Sequence, residues 1–144
     1  MASQSVRRVA GGSDWFIVAE ALHRIAQCTL APTKLMHRDV DWLKAYNYLT
    51  TIEGVYIVGG YLVVYEVGTP WYSNASILSE LLIVRVGRGG TIKGVAQFLR
   101  KRAKALGADF IAVGTAFAKS DPALSRLYQA QGFTPEAITL TSEP

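Results

Sequence analysis

The chain holds one cysteine, Cys28, and two histidines, His23 and His37. One thiol excludes an internal disulfide framework, and one thiol with two imidazoles falls short of a zinc set, so no metal is expected. Cys28 lies among apolar residues in a helical pattern and reads as a small core residue, not a nucleophile. No apolar run approaches the roughly 20 residues that cross a bilayer. The opening "MASQSVRRVAGGSDW" has no apolar stretch of the kind an export signal carries, so a soluble, cytoplasmic protein is expected. On that expectation the "NAS" at Asn74 has no meaning as a glycosylation site. Repeats, low-complexity tracts and linkers are missing as well, which points to a single domain over residues 1–144.

What is present is core material. Of the 144 residues, 50% are apolar and 18% charged, enough to bury a sizeable core. The net charge of +4 fits an anionic small ligand. A nucleic-acid partner is not expected, because the basic residues carry no recognised motif or aromatic stacking pattern.

Residues 4–10 pattern as a strand, and Ser13 or Asp14 then caps a helix. Pro32 sits in a break before a second helical pattern in "HRDVDWLKAYNYLTT". The period then changes. "GVYIVGG" and "YLVVYEVG" are β-branched and aromatic, with Gly59-Gly60 as a hairpin signal between them. "ILSELLIVRV" is apolar enough for a sheet centre. A basic helix runs from about Thr91 to Leu106 and stops at Gly107. "DFIAVGTA" reads as a buried strand, and Ser120 or Asp121 caps a shorter helix reaching about Gln131. "FTPEAITLTS" reads as a last strand. The order β-α-α-β-β-β-α-β-α-β describes an α/β protein with a mixed sheet and helices on both faces.

At the junction of the third strand and the basic helix lies "GRGGTIKG", residues 87–94. A Walker A loop fails, because Lys93 precedes the second glycine, Gly94, and Val95 and Ala96 stand where Lys and Ser or Thr belong. A dinucleotide fingerprint fails at Ile92, where a third glycine is required. What remains is general physics. Glycines let the main chain approach a ligand closely, and the first N–H groups of a helix have no internal partners and favour an anion. The competing reading is a strand–helix turn with no ligand.

The C-terminal half supplies a resemblance. "SDPALSRLYQAQGF", residues 120–133, resembles the N-x-x-A-x-x-L-Y-x-x-x-G-F signature of the GCN5-related N-acetyltransferases, with Leu127-Tyr128 and Gly132-Phe133 in the matching places and Ala123 one residue before the signature's alanine. "VRRVAGGSDWFIVAEAL" resembles that family's opening strand and helix entry, and the element order is the family's. The resemblance implies acetyl-coenzyme A at a splay between two parallel strands, and transfer of its acetyl group to an amine that the sequence does not identify. The family's pyrophosphate loop reads Arg or Gln, two residues, Gly, one residue, Gly or Ala. Aligned on Gly90, this chain has Gly87 for the Arg or Gln and Ile92 for the small residue; aligned on Arg85, it has Arg88 for the first glycine. The layout also resembles small acetyltransferase-like proteins of tailed bacteriophages. That implies, as the alternative, a non-catalytic virion or assembly component with protein partners or a second copy of itself.

By the same resemblance Tyr128 is the acid that protonates the departing thiolate, against a reading as a core-packed ring. Glu80 is the candidate base, against a solvated strand-end carboxylate, with Glu66 a weaker candidate. The oxyanion donor is expected near Val84, the pantetheine arm along Ile83, Val84 and Val86, and the pyrophosphate on Arg88, Gly89, Gly90, Thr91 and Ile92, with Lys93 in reach. Arg100, Lys101, Arg102 and Lys104 read as a solvated helix face. Trp42, Trp71 and Tyr72 are candidates for an acceptor groove or for core packing.

Overall fold

The computed structural model describes residues 5–28, 37–118 and 121–144. The chain falls into two compact units, one comprising the chain up to Val9 with Glu53–Pro135, the other Ala10–Ile52 with Glu136–Pro144. Among the described residues no helix is long and apolar enough to cross a membrane.

The first unit is built on a five-stranded sheet of β1 (Val6–Arg8), β2 (Val55–Val58), β3 (Tyr61–Gly68), β4 (Ile77–Arg85) and β5 (Phe110–Ala112), in that spatial order. The first four strands are antiparallel, and β5 joins β4 in parallel. Parallel pairing needs a crossover, and the basic helix supplies it between β4 and β5, as α3 (Ile92–Leu106). Thr91 caps α3 by accepting from the Gly94 N–H at 3.1 Å, and Gly107 ends it in the left-handed conformation. Both ends are where turn chemistry places them. From its buried face, Ile92, Val95, Phe98, Leu99 and Ala103 pack in one core with Val58, Val63, Leu78 and Ile83 of the sheet. Each of the larger aliphatic side chains contributes on the order of 1.5–3 kcal/mol by leaving water. The last helix of this unit, α4 (Asp121–Gln129), adds Tyr128 to the same core.

The second unit holds α1 (Gly11–Cys28) and α2 (Trp42–Leu49). Asp14 accepts from the Ala10 N–H at 3.2 Å, inside the helix it was expected to cap. Asp41 caps α2 through the Lys44 N–H at 3.0 Å. Trp15 meets Tyr46 edge-on at 5.7 Å, and His23 meets Trp42 at 5.5 Å.

Three expectations are corrected. Residues 133–144 form no strand, and Ile138 and Leu140 are exposed, so period-two patterning without a paired edge is not enough to hold a strand there. The strand expected over residues 109–116 is cut to three residues, and Phe110 is 61% exposed because β5 is the edge of the sheet. Arg100 and Arg102 are not a solvated face. Arg100 donates to the Gln131 carbonyl and covers the Phe133 ring, while Arg102 donates to the Tyr65 hydroxyl at 2.9 Å. Pro32, Ser120 and the Cys28 side chain lie outside the described residues.

Candidate active site

The site starts from a defect in β4. Val64 pairs with Leu82 but Tyr65 pairs with Glu80, so Leu81 is an extra residue without a partner, a β-bulge. Side chains alternate along a strand, and one inserted residue reverses which of them face the core. The reversal is visible in the burial. Below the bulge Ile83 faces the α3 core opposite Val63; above it Leu78 does. Glu80 shares parity with Leu78 and lies opposite Tyr65, itself a core residue. Without Leu81 in excess, the carboxylate would point to the other side of the sheet. Glu66 does so: it follows Tyr65 by one residue and alternates to the opposite face, which separates it from this site.

Partial burial strips water from Glu80, and desolvation raises its pKa from 4.5 to about 7. Its neighbour in the electrostatic sense is Tyr128. That phenol is buried, and among the described residues its hydroxyl has no hydrogen-bond partner. Burial first, then the Glu80 carboxylate and then Tyr61 push the Tyr128 pKa well above the ordinary phenol range. The phenol therefore keeps its proton at neutral pH, beside a carboxylate that titrates there.

Tyr128 is held by its own motif. After the last turn of α4, Gly132 takes a φ of +90°, which an L side chain rarely adopts, and the chain reverses. The Phe133 N–H donates to the Tyr128 carbonyl at 3.2 Å, and the Phe133 ring packs edge-on against the Tyr128 ring at 5.5 Å. The Tyr-x-x-x-Gly-Phe spacing is thus a clamp on the phenol.

Beside this pair the sheet opens. The β4–β5 ladder runs only from Ile77 and Phe110 to Ser79 and Ala112, and β4 continues alone to Arg85. The Val86 N–H donates to the Gly60 carbonyl on the β3 side, so by alternation Leu82 and Val84 also turn their backbone groups toward β3. Ile83 and Arg85 turn theirs to the open side. Val84, near which a donor was expected, thus turns its N–H toward β3, and the Val86 N–H is already taken.

The glycine loop closes the far end. Gly89 and Gly90 have φ of +87° and +72°. Among the described residues, none of the backbone N–H groups of residues 88–93 donates a hydrogen bond within the chain, and that of Gly94 goes to Thr91. Ile92 turns its side chain into the α3 core. Arg88 and Lys93 are exposed beside the N–H row. Two further parts hold the loop in ways the hairpin signal at Gly60 and the loop alignment on Arg85 do not announce. Gly60 of the β2–β3 hairpin accepts from Val86 and Gly87 and donates to the Gly89 carbonyl at 3.1 Å. Arg85 donates to the Gly87 and Gly89 carbonyls, both at 3.0 Å, and to the Tyr61 hydroxyl at 2.8 Å.

Trp71 and Tyr72 are exposed and pack only edge-on against each other at 5.5 Å, not in the core. Trp42 belongs to the other unit. Among the described residues no cluster of three His, Cys, Asp or Glu is placed to hold a metal ion.

No family sequence model matches the chain, and neither does the sequence of any curated protein. Solved structures do. A candidate acetyl transferase of Pyrococcus furiosus superposes with a TM-score of 0.69 at 15% identity, covering 98% of this chain and 99% of that one. AAC(6')-Iy, solved in complex with the bisubstrate analog CoA-S-monomethyl-acetylneamine, gives 0.63 at 12% identity and 99% coverage of both chains. A transcriptional regulator from Bacillus halodurans gives 0.61 at 14% identity, over 97% of this chain and 99% of that one. The fold is that of the GCN5-related acetyltransferases.

Proposed function

We propose that this acetyltransferase-fold chain is an N-acetyltransferase of the cytoplasm that takes acetyl-coenzyme A as donor and an amine as acceptor. The observation that carries the reading is the Tyr128 hydroxyl, buried without a partner among the described residues and beside Glu80 where β4 and β5 part. A buried hydroxyl left unsatisfied costs about 1–3 kcal/mol, and a site that keeps one has a use for its proton. The residues present fit the donor. The open side of β4 offers the backbone groups of Ile83 and Arg85 to an amide-bearing arm, and the N–H row of 88–93 at the start of α3 suits a diphosphate.

Acetyl-coenzyme A supplies a thioester, whose carbonyl carbon is open to an amine and whose thiolate leaves. Glu80, with a pKa of about 7, takes the proton that an ammonium must lose to become a nucleophile. Tyr128 holds its proton up to high pH and would give it to the departing sulfur, with the Glu80 carboxyl, whose charge it senses, as the source that restores it. Backbone N–H groups on the open side of β4 stabilise the negative oxygen that develops on the carbonyl.

The test is thermal unfolding with and without millimolar acetyl-coenzyme A. Binding to the native state alone raises stability by RT ln(1 + [L]/Kd), about 2.7 kcal/mol at a hundredfold excess over Kd. A rise is expected, followed by release of free coenzyme A thiol with some member of a panel of primary amines. An unmoved transition at millimolar donor overturns the reading. It is also what the alternative requires, a non-catalytic component of a bacteriophage particle, which rests on the sequence resemblance alone.

A further inference from the structure

We infer that Arg85 is the positioning residue of the 87–91 loop, and that through it the protein selects donors carrying a diphosphate over shorter pantetheine thioesters. The inference rests on the acetyltransferase reading for the identity of the donor; the observations are those of the loop itself.

Arg85 is the last residue of β4, and its side chain turns over the loop that follows. One guanidinium nitrogen, Nη1, donates to both the Gly87 and the Gly89 carbonyls, and the other, Nη2, to the Tyr61 hydroxyl. The guanidinium also lies 4.3 Å from the centre of the Tyr61 ring, its cross-strand partner. A peptide unit is planar and trans, so a carbonyl drawn one way sends the next residue's N–H the other way. Drawing in the carbonyls of 87 and 89 therefore turns out the N–H groups of Arg88 and Gly90. Gly60 draws the Gly89 carbonyl from the same side. The result is a loop in which the Gly87 and Gly89 carbonyls face the protein and the Arg88 and Gly90 N–H groups do not, set before any ligand arrives. Preorganisation of this kind lowers the cost of binding without a new contact.

The role needs a fork. A lysine offers the same charge at one point on a flexible stem, whereas the planar guanidinium holds two carbonyls and a hydroxyl in one geometry. Because those donors face neutral oxygens and the ring covers one side, Arg85 acts through the loop and not as a ligand of the anion.

Calorimetric titration of wild type, Arg85→Lys and Arg85→Ala with acetyl-coenzyme A and with S-acetyl-pantetheine separates the possibilities. Both variants are expected to weaken acetyl-coenzyme A by about tenfold or more, near 1.4 kcal/mol, and to leave S-acetyl-pantetheine within about twofold. If Arg85→Lys binds acetyl-coenzyme A as wild type does, charge alone suffices and the inference is wrong. Equal weakening toward both donors overturns it too, since a loosened sheet would do that. Should Arg85→Ala fail to fold by circular dichroism, Arg85→Lys, which keeps the stem and charge, decides between the two outcomes. A wild-type chain that binds neither donor overturns the acetyltransferase reading instead.

Discussion

At the scale of single residues, Tyr128 separates stability from chemistry. Its ring belongs to the core and is clamped by Phe133, but its hydroxyl contributes no hydrogen bond among the described residues. Removing that oxygen takes away an unsatisfied polar group and leaves the packing intact. Tyr128→Phe is therefore expected to hold or slightly raise the unfolding temperature and to keep donor affinity, while turnover falls by about 10²–10⁴. Thermal melts and single-turnover assays on one preparation check both halves. A fall in stability with unchanged turnover would mean that the hydroxyl is structural. The motif around Tyr128 was readable in the sequence because it is local: four residues carry the tyrosine to the glycine that reverses the chain. Glu80 was readable as the candidate base through the resemblance, but its face of the sheet was not. Which face it takes depends on the bulge at Leu81, and nothing in "SELLIV" announces that one leucine lacks a partner.

At the scale of elements, the β2–β3 hairpin does more than connect. Gly59-Gly60 reads as turn chemistry, and it is a turn, but Gly60 also seats the loop between β4 and α3. A Cβ on Gly60 would lie 2.5 Å from the Gly87 carbonyl oxygen and 2.8 Å from that of Arg88. Both obstacles are backbone, so the loop itself would have to move. Gly60→Ala is expected to cost about 1–3 kcal/mol of stability by overpacking, and to weaken acetyl-coenzyme A as the loop shifts. Gly12→Ala is the control: it meets nothing within 4 Å, has no positive φ and lies in α1. Alanine there is expected to add about 0.4–1 kcal/mol. Chemical denaturation of the two variants side by side distinguishes close approach from mere chain stiffness. The dual role of Gly60 could not be read from the sequence, since its loop partners Val86, Gly87 and Gly89 stand 26 or more positions away.

At the scale of the molecule, the site sets a pH dependence of stability. Glu80 has a folded pKa of about 7 against 4.5 when free in water. Between those values the native chain holds a proton that the unfolded chain has released, so stability falls as pH rises through the window. The loss is at most about 1.4 kcal/mol for each pH unit crossed. Glu80→Gln lacks that titration. Its stability relative to wild type is expected to grow from pH 5 to pH 8 and to level off beyond. Activity runs the other way, because the base must be unprotonated: kcat/KM is expected to rise with an apparent pKa near 7 in wild type and to be lost in Glu80→Gln. Melts and rates across pH 5–9 measure both slopes. A flat stability difference would place the carboxylate in water and remove it as the base.

The elements themselves were decided locally. Thr91 and Gly107 bracket α3 by capping chemistry, two glycines turn the first hairpin, and a change from helical to strand period marks where the sheet begins. Such signals act within a few residues, and a sequence carries them openly. The failed last strand marks their limit: "AITLTS" alternates as a strand should, but alternation needs an edge to pair with, and pairing is not local. Apart from the local Tyr128 motif, the site lies beyond that limit. The bulge that aims Glu80, the early end of the β4–β5 ladder, the arginine that draws in two carbonyls and the hairpin glycine beneath them are all matters of register between distant strands. Register is settled by burying one face of the whole sheet at once. The sequence alone determined which residues were available for chemistry; tertiary pairing decided which of them meet.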